Sequence, residues 1–121
     1  MDIRPEFEVE FPFWTLVSET ALWTKGLPFA ISWITRGGET CLPLFTDTDL
    51  AERFIEDEPL LGVVPLPLAA YGIFRGVLFD ALTHSVRRIV IDASTNPDYL
   101  WRFTPIAETI IAIDTQIAKV N

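Results

Sequence analysis

Phe29-Ala30-Ile31-Ser32-Trp33-Ile34-Thr35, then Arg36-Gly37-Gly38, then Glu39-Thr40-Cys41-Leu42-Pro43-Leu44-Phe45, is the stretch whose reading decides the fold. Two runs rich in aromatic and β-branched residues flank a Gly-Gly pair, and paired glycines supply the positive φ angles that a tight hairpin turn demands. A β-hairpin is therefore expected over residues 29–45. Pro43 has no ladder hydrogen bond to donate, so its strand is expected to lie at an edge there or to leave the sheet at that point.

Downstream of the hairpin, Thr46 is expected to cap a helix over residues 47–57, with Asp49 three residues on as a variant capping box and Asp47 near the positive end of the dipole. Leu50, Ala51, Phe54 and Ile55 share one face of that helix, which must stop before Pro59. Leu60-Leu61-Gly62-Val63-Val64 reads as a short strand buried on both faces. Pro67 then opens a central helix over 68–82, apolar nearly all round apart from Arg75 and Asp80. Gly72 and Gly76, one turn apart on it, either admit another backbone closely or mark a kink.

Arg88-Ile89-Val90-Ile91-Asp92 is a second buried strand type, ending in the turn-forming Ser94-Thr95-Asn96-Pro97-Asp98. Residues 99–103 form an aromatic connector. Thr104 caps the last helix with Pro105 at its first position, and Ile106, Ile110, Ile113 and Ile117 repeat along one face.

Upstream, Phe7, Val9, Phe11 and Phe13 alternate with Glu6, Glu8, Glu10 and Pro12, the period of a strand with an acidic face, so residues 1–12 read as an extended arm or edge strand. Residues 14–19 admit a short helix, which would make 21–24 a strand, and periodicity leaves that choice open. The order of elements implies an α+β domain of mixed layers: one mixed sheet with an N-terminal hairpin and about three helices packed on it.

The bulk composition agrees with a single domain spanning residues 1–121. Half of the 121 residues are hydrophobic and 21% are charged, enough apolar surface to close one core. The net charge of -8, with Lys25 and Lys119 as the sole lysines, opposes binding to a phosphate backbone, so nucleic acid is not an expected partner. The longest uncharged run, 60–74, falls short of the roughly 18 to 20 residues that span a bilayer, so no membrane is expected either. The first residues lack the basic start and apolar centre of a secretory signal, and Cys41, the sole cysteine, has no partner for a disulfide. A cytoplasmic protein of bacterial style is the expectation.

Leu42-Pro43-Leu44-Phe45-Thr46-Asp47, followed by Leu50 and Phe54 on a helix, resembles the N-terminal domain of the SseB family, the enhanced serine sensitivity proteins. The later apolar helix and the strand over 88–92 extend the likeness across roughly residues 20–95, with Ala93 standing where the family pattern implies proline. The resemblance implies a small mixed α/β domain and carries over no catalytic residue.

Chemistry-bearing side chains are sparse. His84, the sole histidine, lies one turn beyond Asp80 and beside Ser85, where adjacent side chains diverge too far to form a triad, so it reads as a helix-end residue favoured by the dipole. Asp47-Thr48-Asp49 with Glu52 fails the EF-hand pattern, whose sixth position calls for Gly, and capping accounts for the acids. Cys41 has no local helix N-terminus or cation to activate it. Neither a metal nor any other cofactor is expected, and an enzymatic role is not favoured.

Two groups remain as candidates. Phe11, Phe13, Trp14, Trp23, Trp33, Tyr99 and Trp101 exceed what a small core easily hides, which points to an interface with a protein partner or a second copy. Asp92, Ser94 and Asn96 follow a buried strand, where open α/β sheets tend to bind ligands, although tight turns use the same residues. The leading expectation is a non-enzymatic interaction domain, possible self-association included. The alternatives are an acidic immunity-type or regulatory protein facing a basic partner, and a small-molecule binder or enzyme with its site near Asp92.

Overall fold

Gly37 and Gly38 take φ angles of 62° and 82°, the paired positive values of a two-residue hairpin. They join β2 (Ile34–Arg36) to β3 (Glu39–Leu44) antiparallel, with Arg36 opposite Glu39 and Ile34 opposite Cys41. The computed structural model describes residues 12–58, 60–96, 98 and 101–120. The expected arm over residues 1–12 therefore lies, up to Phe11, outside the described residues, as does Tyr99.

The hairpin is shorter than its sequence suggested. Gly26, at φ 87°, breaks the chain between α1 (Glu19–Lys25) and the single-turn α2 (Leu27–Ala30), which has a proline in its first turn. Turn chemistry thus overrides the strand propensity of Phe29 and Ala30. Ile31 and Ser32 pair instead with β1 (Phe13–Ser18): Ile31 bridges Val17, and Ser32 donates to the Leu16 carbonyl at 2.8 Å.

The choice that periodicity left open over residues 14–24 resolves with the strand first and the helix second. Phe13, Thr15 and Val17 fall on one side of β1 and Leu16 on the other, all of them buried, and Ser18 caps α1 by accepting from the Ala21 N–H at 3.4 Å. A strand wetted on neither face has no polar alternation to betray it.

β4 (Val63–Leu68) lies antiparallel to β1, with Pro65 opposite Leu16 and Pro67 opposite Trp14. Trp14 exchanges both backbone hydrogen bonds with Phe45, at 2.9 and 2.8 Å, and the Leu16 carbonyl takes Ser32, so both residues turn their polar groups away from β4. The two prolines consequently occupy non-hydrogen-bonded positions, where a missing N–H leaves the ladder intact. Pro67 does not open a helix, and the strand expected over 60–64 is displaced: Leu61 is 95% exposed in a turn with Gly62 at φ 71°, and β4 is half-buried.

The second sheet has the order β2-β3-β5-β6, with β5 (Arg88–Ile91) parallel to β3 and β6 (Arg102–Pro105) antiparallel to β5. β3 is thus interior rather than at an edge. Pro43 sits where its neighbour changes from β2 to β1, and its carbonyl accepts from the buried Thr15 hydroxyl at 2.8 Å. The aromatic connector is in fact followed by β6 from Arg102, so Thr104 pairs with Ile89 instead of capping α5 (Ile106–Val120).

Helices cover both faces. Leu42, Leu44, Ile89 and Ile91 pack with Phe74, Val77, Leu78 and Ala81 of α4 (Tyr71–Thr83) and with Ile106, Ile110 and Ile113 of α5. Cys41, Phe45 and Val90 pack on the other side with Ala51 and Phe54 of α3 (Thr48–Asp57). The result is a small α+β domain with a mixed sheet. α4 is not central: it rests on the sheet with Ile73 and Phe79 exposed, and a side chain built at Gly72 or Gly76 would meet open space instead of a neighbouring backbone. No helix among the described residues is long and apolar enough to cross a membrane.

Candidate functional site

The turn that leaves β5 is built by its polar residues for its own support. Asp92 adopts φ 52°, a left-handed conformation that aspartate tolerates better than most residues, and its carboxylate accepts the Thr46 N–H and hydroxyl, both at 2.8 Å. Asp92 thereby ties the end of β5 to the turn between β3 and α3. Thr46 is committed to this clamp, so the cap of α3 is Asp47, which accepts from the Asp49 N–H at 2.8 Å. The Asn96 N–H donates to the Ser94 Oγ at 3.1 Å, and the Asn96 Oδ1 accepts from the Asp98 N–H at 3.0 Å.

Folding this turn over the α3 side of the sheet brings distant residues together. The Trp101 indole N–H donates to the Ser94 carbonyl at 2.9 Å, and the Thr95 hydroxyl donates to Asp57 at the end of α3 at 3.0 Å. Arg36, the last residue of β2, lays its guanidinium 4.6 Å from the centre of the Trp101 ring, a cation–π contact. Between these segments lies a groove of about 430 Å³ lined by Trp33, Ile34, Thr35, Arg36, Phe54, Glu58, Leu60, Ser94, Thr95 and Trp101.

The groove gathers Trp33, Trp101 and Ser94 from the two candidate groups and leaves the others elsewhere. Phe13 is not a surface residue: it is 2% exposed and stacks on Phe74 at 5.3 Å, because odd positions of β1 face the core. Trp14 is half-buried against the α3-side core. Trp23, 81% exposed on α1, stands apart, and Phe29 of the neighbouring α2 is 67% exposed. Phe11 and Tyr99 lie outside the described residues. Asp92 and Asn96 support the wall without lining the groove. Arg36 and Glu58 were missed by sequence reasoning, since nothing in the local pattern of a pre-turn arginine or a helix-end glutamate marks a shared wall.

The remaining reactive groups are engaged in the frame. Cys41 is fully buried, and that burial pushes its thiol above the ordinary range, with Glu39 adding to the rise and Arg88 opposing it. His84 ends α4 with its Nδ1 2.8 Å from the Asp80 carbonyl, and its ring lies 6.0 Å from that of Trp33. On the opposite face, Arg75 binds Asp114 at 2.8 Å, which holds that carboxyl below the usual range. Among the described residues, no three His, Cys, Asp or Glu side chains are grouped as a metal would require. The sequence matches no family model and no curated protein.

Proposed function

We propose that this chain is a non-enzymatic recognition domain that holds its target in the groove between β2, α3 and the side of Ser94, Thr95 and Trp101. The observation that carries the reading is the convergence of Trp33, Trp101 and Ser94, from two separate parts of the chain, on one concave site of about 430 Å³. That volume falls at the lower end of the roughly 300 to 1,000 Å³ that ligand sites occupy, and the lining divides evenly between apolar or aromatic residues and polar or charged ones. The likeness of residues 42–47 to the SseB N-terminal domain belongs to the same proposal, since it supplies a frame without catalytic residues.

Benzyl alcohol, a neutral aromatic probe, tests the reading when titrated while the four indole N–H resonances are followed by NMR. Saturable movement of the Trp101 resonance with Trp23 unmoved supports it. An unresponsive Trp101, or equal drift of all four, contradicts it.

A second reading rests on a different observation: Trp23 and Phe29 stand 81% and 67% exposed on neighbouring short helices. Exposed aromatic pairs of this kind anchor protein contacts. Here the chain pairs with a second copy through α1 and α2, and sedimentation velocity should show a concentration-dependent dimer that Trp23→Ser abolishes. A monomer at every concentration excludes self-association by this surface.

A further inference from the structure

Resting on the groove as the recognition site, we infer that its ligand is a small zwitterion with an apolar or aromatic body, the chemistry of an apolar α-amino acid. Arg36 supplies the first half of the argument. Arg75 and Arg88 are paired with Asp114 and Glu39, at 2.8 and 3.2 Å, whereas Arg36 has no carboxylate within ion-pair distance among the described residues. It is nonetheless fixed. Its guanidinium carbon lies 4.6 Å from the centre of the Trp101 ring, and that indole is itself anchored to the Ser94 carbonyl. No carboxylate among the described residues takes its N–H donors, and the planar fork of a guanidinium matches a carboxylate.

Glu58 supplies the other half. It closes the C-terminal end of α3, where the aligned carbonyl dipoles add partial negative charge, and its carboxylate has no ion-pair partner among the described residues. Arg36 and Glu58 line the same groove without touching each other, so an unpaired cation and an unpaired anion face one cavity.

These charges discriminate among ligands. A plain carboxylate gains Arg36 but meets Glu58, and a plain amine gains Glu58 but meets Arg36. A molecule carrying both groups satisfies both walls. Ile34, Phe54 and Leu60 provide apolar surface for its body.

Three probes that differ by one charge test the assignment: L-phenylalanine, 3-phenylpropionate, which lacks the ammonium, and phenethylamine, which lacks the carboxylate. Each is titrated against the Trp101 indole resonance in the wild type, in Arg36→Gln and in Glu58→Gln. L-phenylalanine should bind about tenfold more tightly than either analogue. Arg36→Gln should lower phenylalanine to the level of phenethylamine, and Glu58→Gln should lower it to that of 3-phenylpropionate. Analogues binding as well as phenylalanine, or affinity unchanged in both variants, would overturn the ligand class while a response to benzyl alcohol keeps the groove reading standing. Silence of Trp101 towards all four probes would end both.

Discussion

Asp92→Ala tests whether the strongest polar cluster in the sequence is architecture. The substitution removes two hydrogen bonds from Thr46 to the carboxylate, each 2.8 Å long. Because the clamp is partly exposed, each is worth about 1 kcal/mol instead of the upper end for charged acceptors. Alanine must also hold φ 52°, a left-handed angle that costs roughly 1 kcal/mol more for it than for aspartate. The expected loss is about 2 to 3 kcal/mol. Asp92→Gly loses the same bonds but escapes the backbone penalty, so it should be about 1 kcal/mol more stable than the alanine variant. Urea unfolding followed by tryptophan fluorescence, with the slope unchanged across the series, gives these differences directly. An alanine variant within about 0.5 kcal/mol of wild type, or a glycine variant less stable than the alanine one, would refute the clamp.

Other outcomes follow from the same frame. Gly38→Ala, at φ 82°, should cost about 1 to 2 kcal/mol, whereas Gly72→Ala, on the open side of α4, should raise stability by up to about 1 kcal/mol in the same assay. Pro65→Val with Pro67→Val should leave the fold intact but restore N–H donors along the outer edge of β4, and light scattering should record faster aggregation on mild heating. Burial raises the Cys41 thiol pKa in the folded state, so the unfolded chain releases that proton first; stability should hold at neutral pH and fall as pH climbs through the ordinary thiol value towards the folded one. Cys41→Ala should flatten that alkaline slope, and an unchanged slope would contradict the assignment.

Residues whose local chemistry has one solution were legible in the sequence. Gly37-Gly38 required a hairpin; the helix expected over 47–57 is found at Thr48–Asp57, and the strand expected over 88–92 at Arg88–Ile91, buried from Ile89 on. One cause of misreading is that apolar runs carry no period when both faces are covered. β1 was ambiguous because Thr15 and Leu16 are both fully buried, on opposite sides. Pro67 looked like a helix opener, because the harmlessness of a proline in β4 depends on the hydrogen bonds Trp14 and Leu16 make to other partners. The groove was visible only in fragments. Trp33, Trp101 and Ser94 could be flagged by type, but their meeting with Arg36 and Glu58 depends on the long-range contacts of Thr95 with Asp57 and of Trp101 with Ser94.

The claim that recognition resides in this groove is tested most directly by mapping backbone amide shifts across the whole protein during titration with L-phenylalanine. The account predicts a contiguous set of perturbed amides at residues 34–36, 54, 58, 94, 95 and 101, with α1 and α2 unmoved. Shifts centred on Trp23 and Phe29, or scattered without a focus, would contradict it.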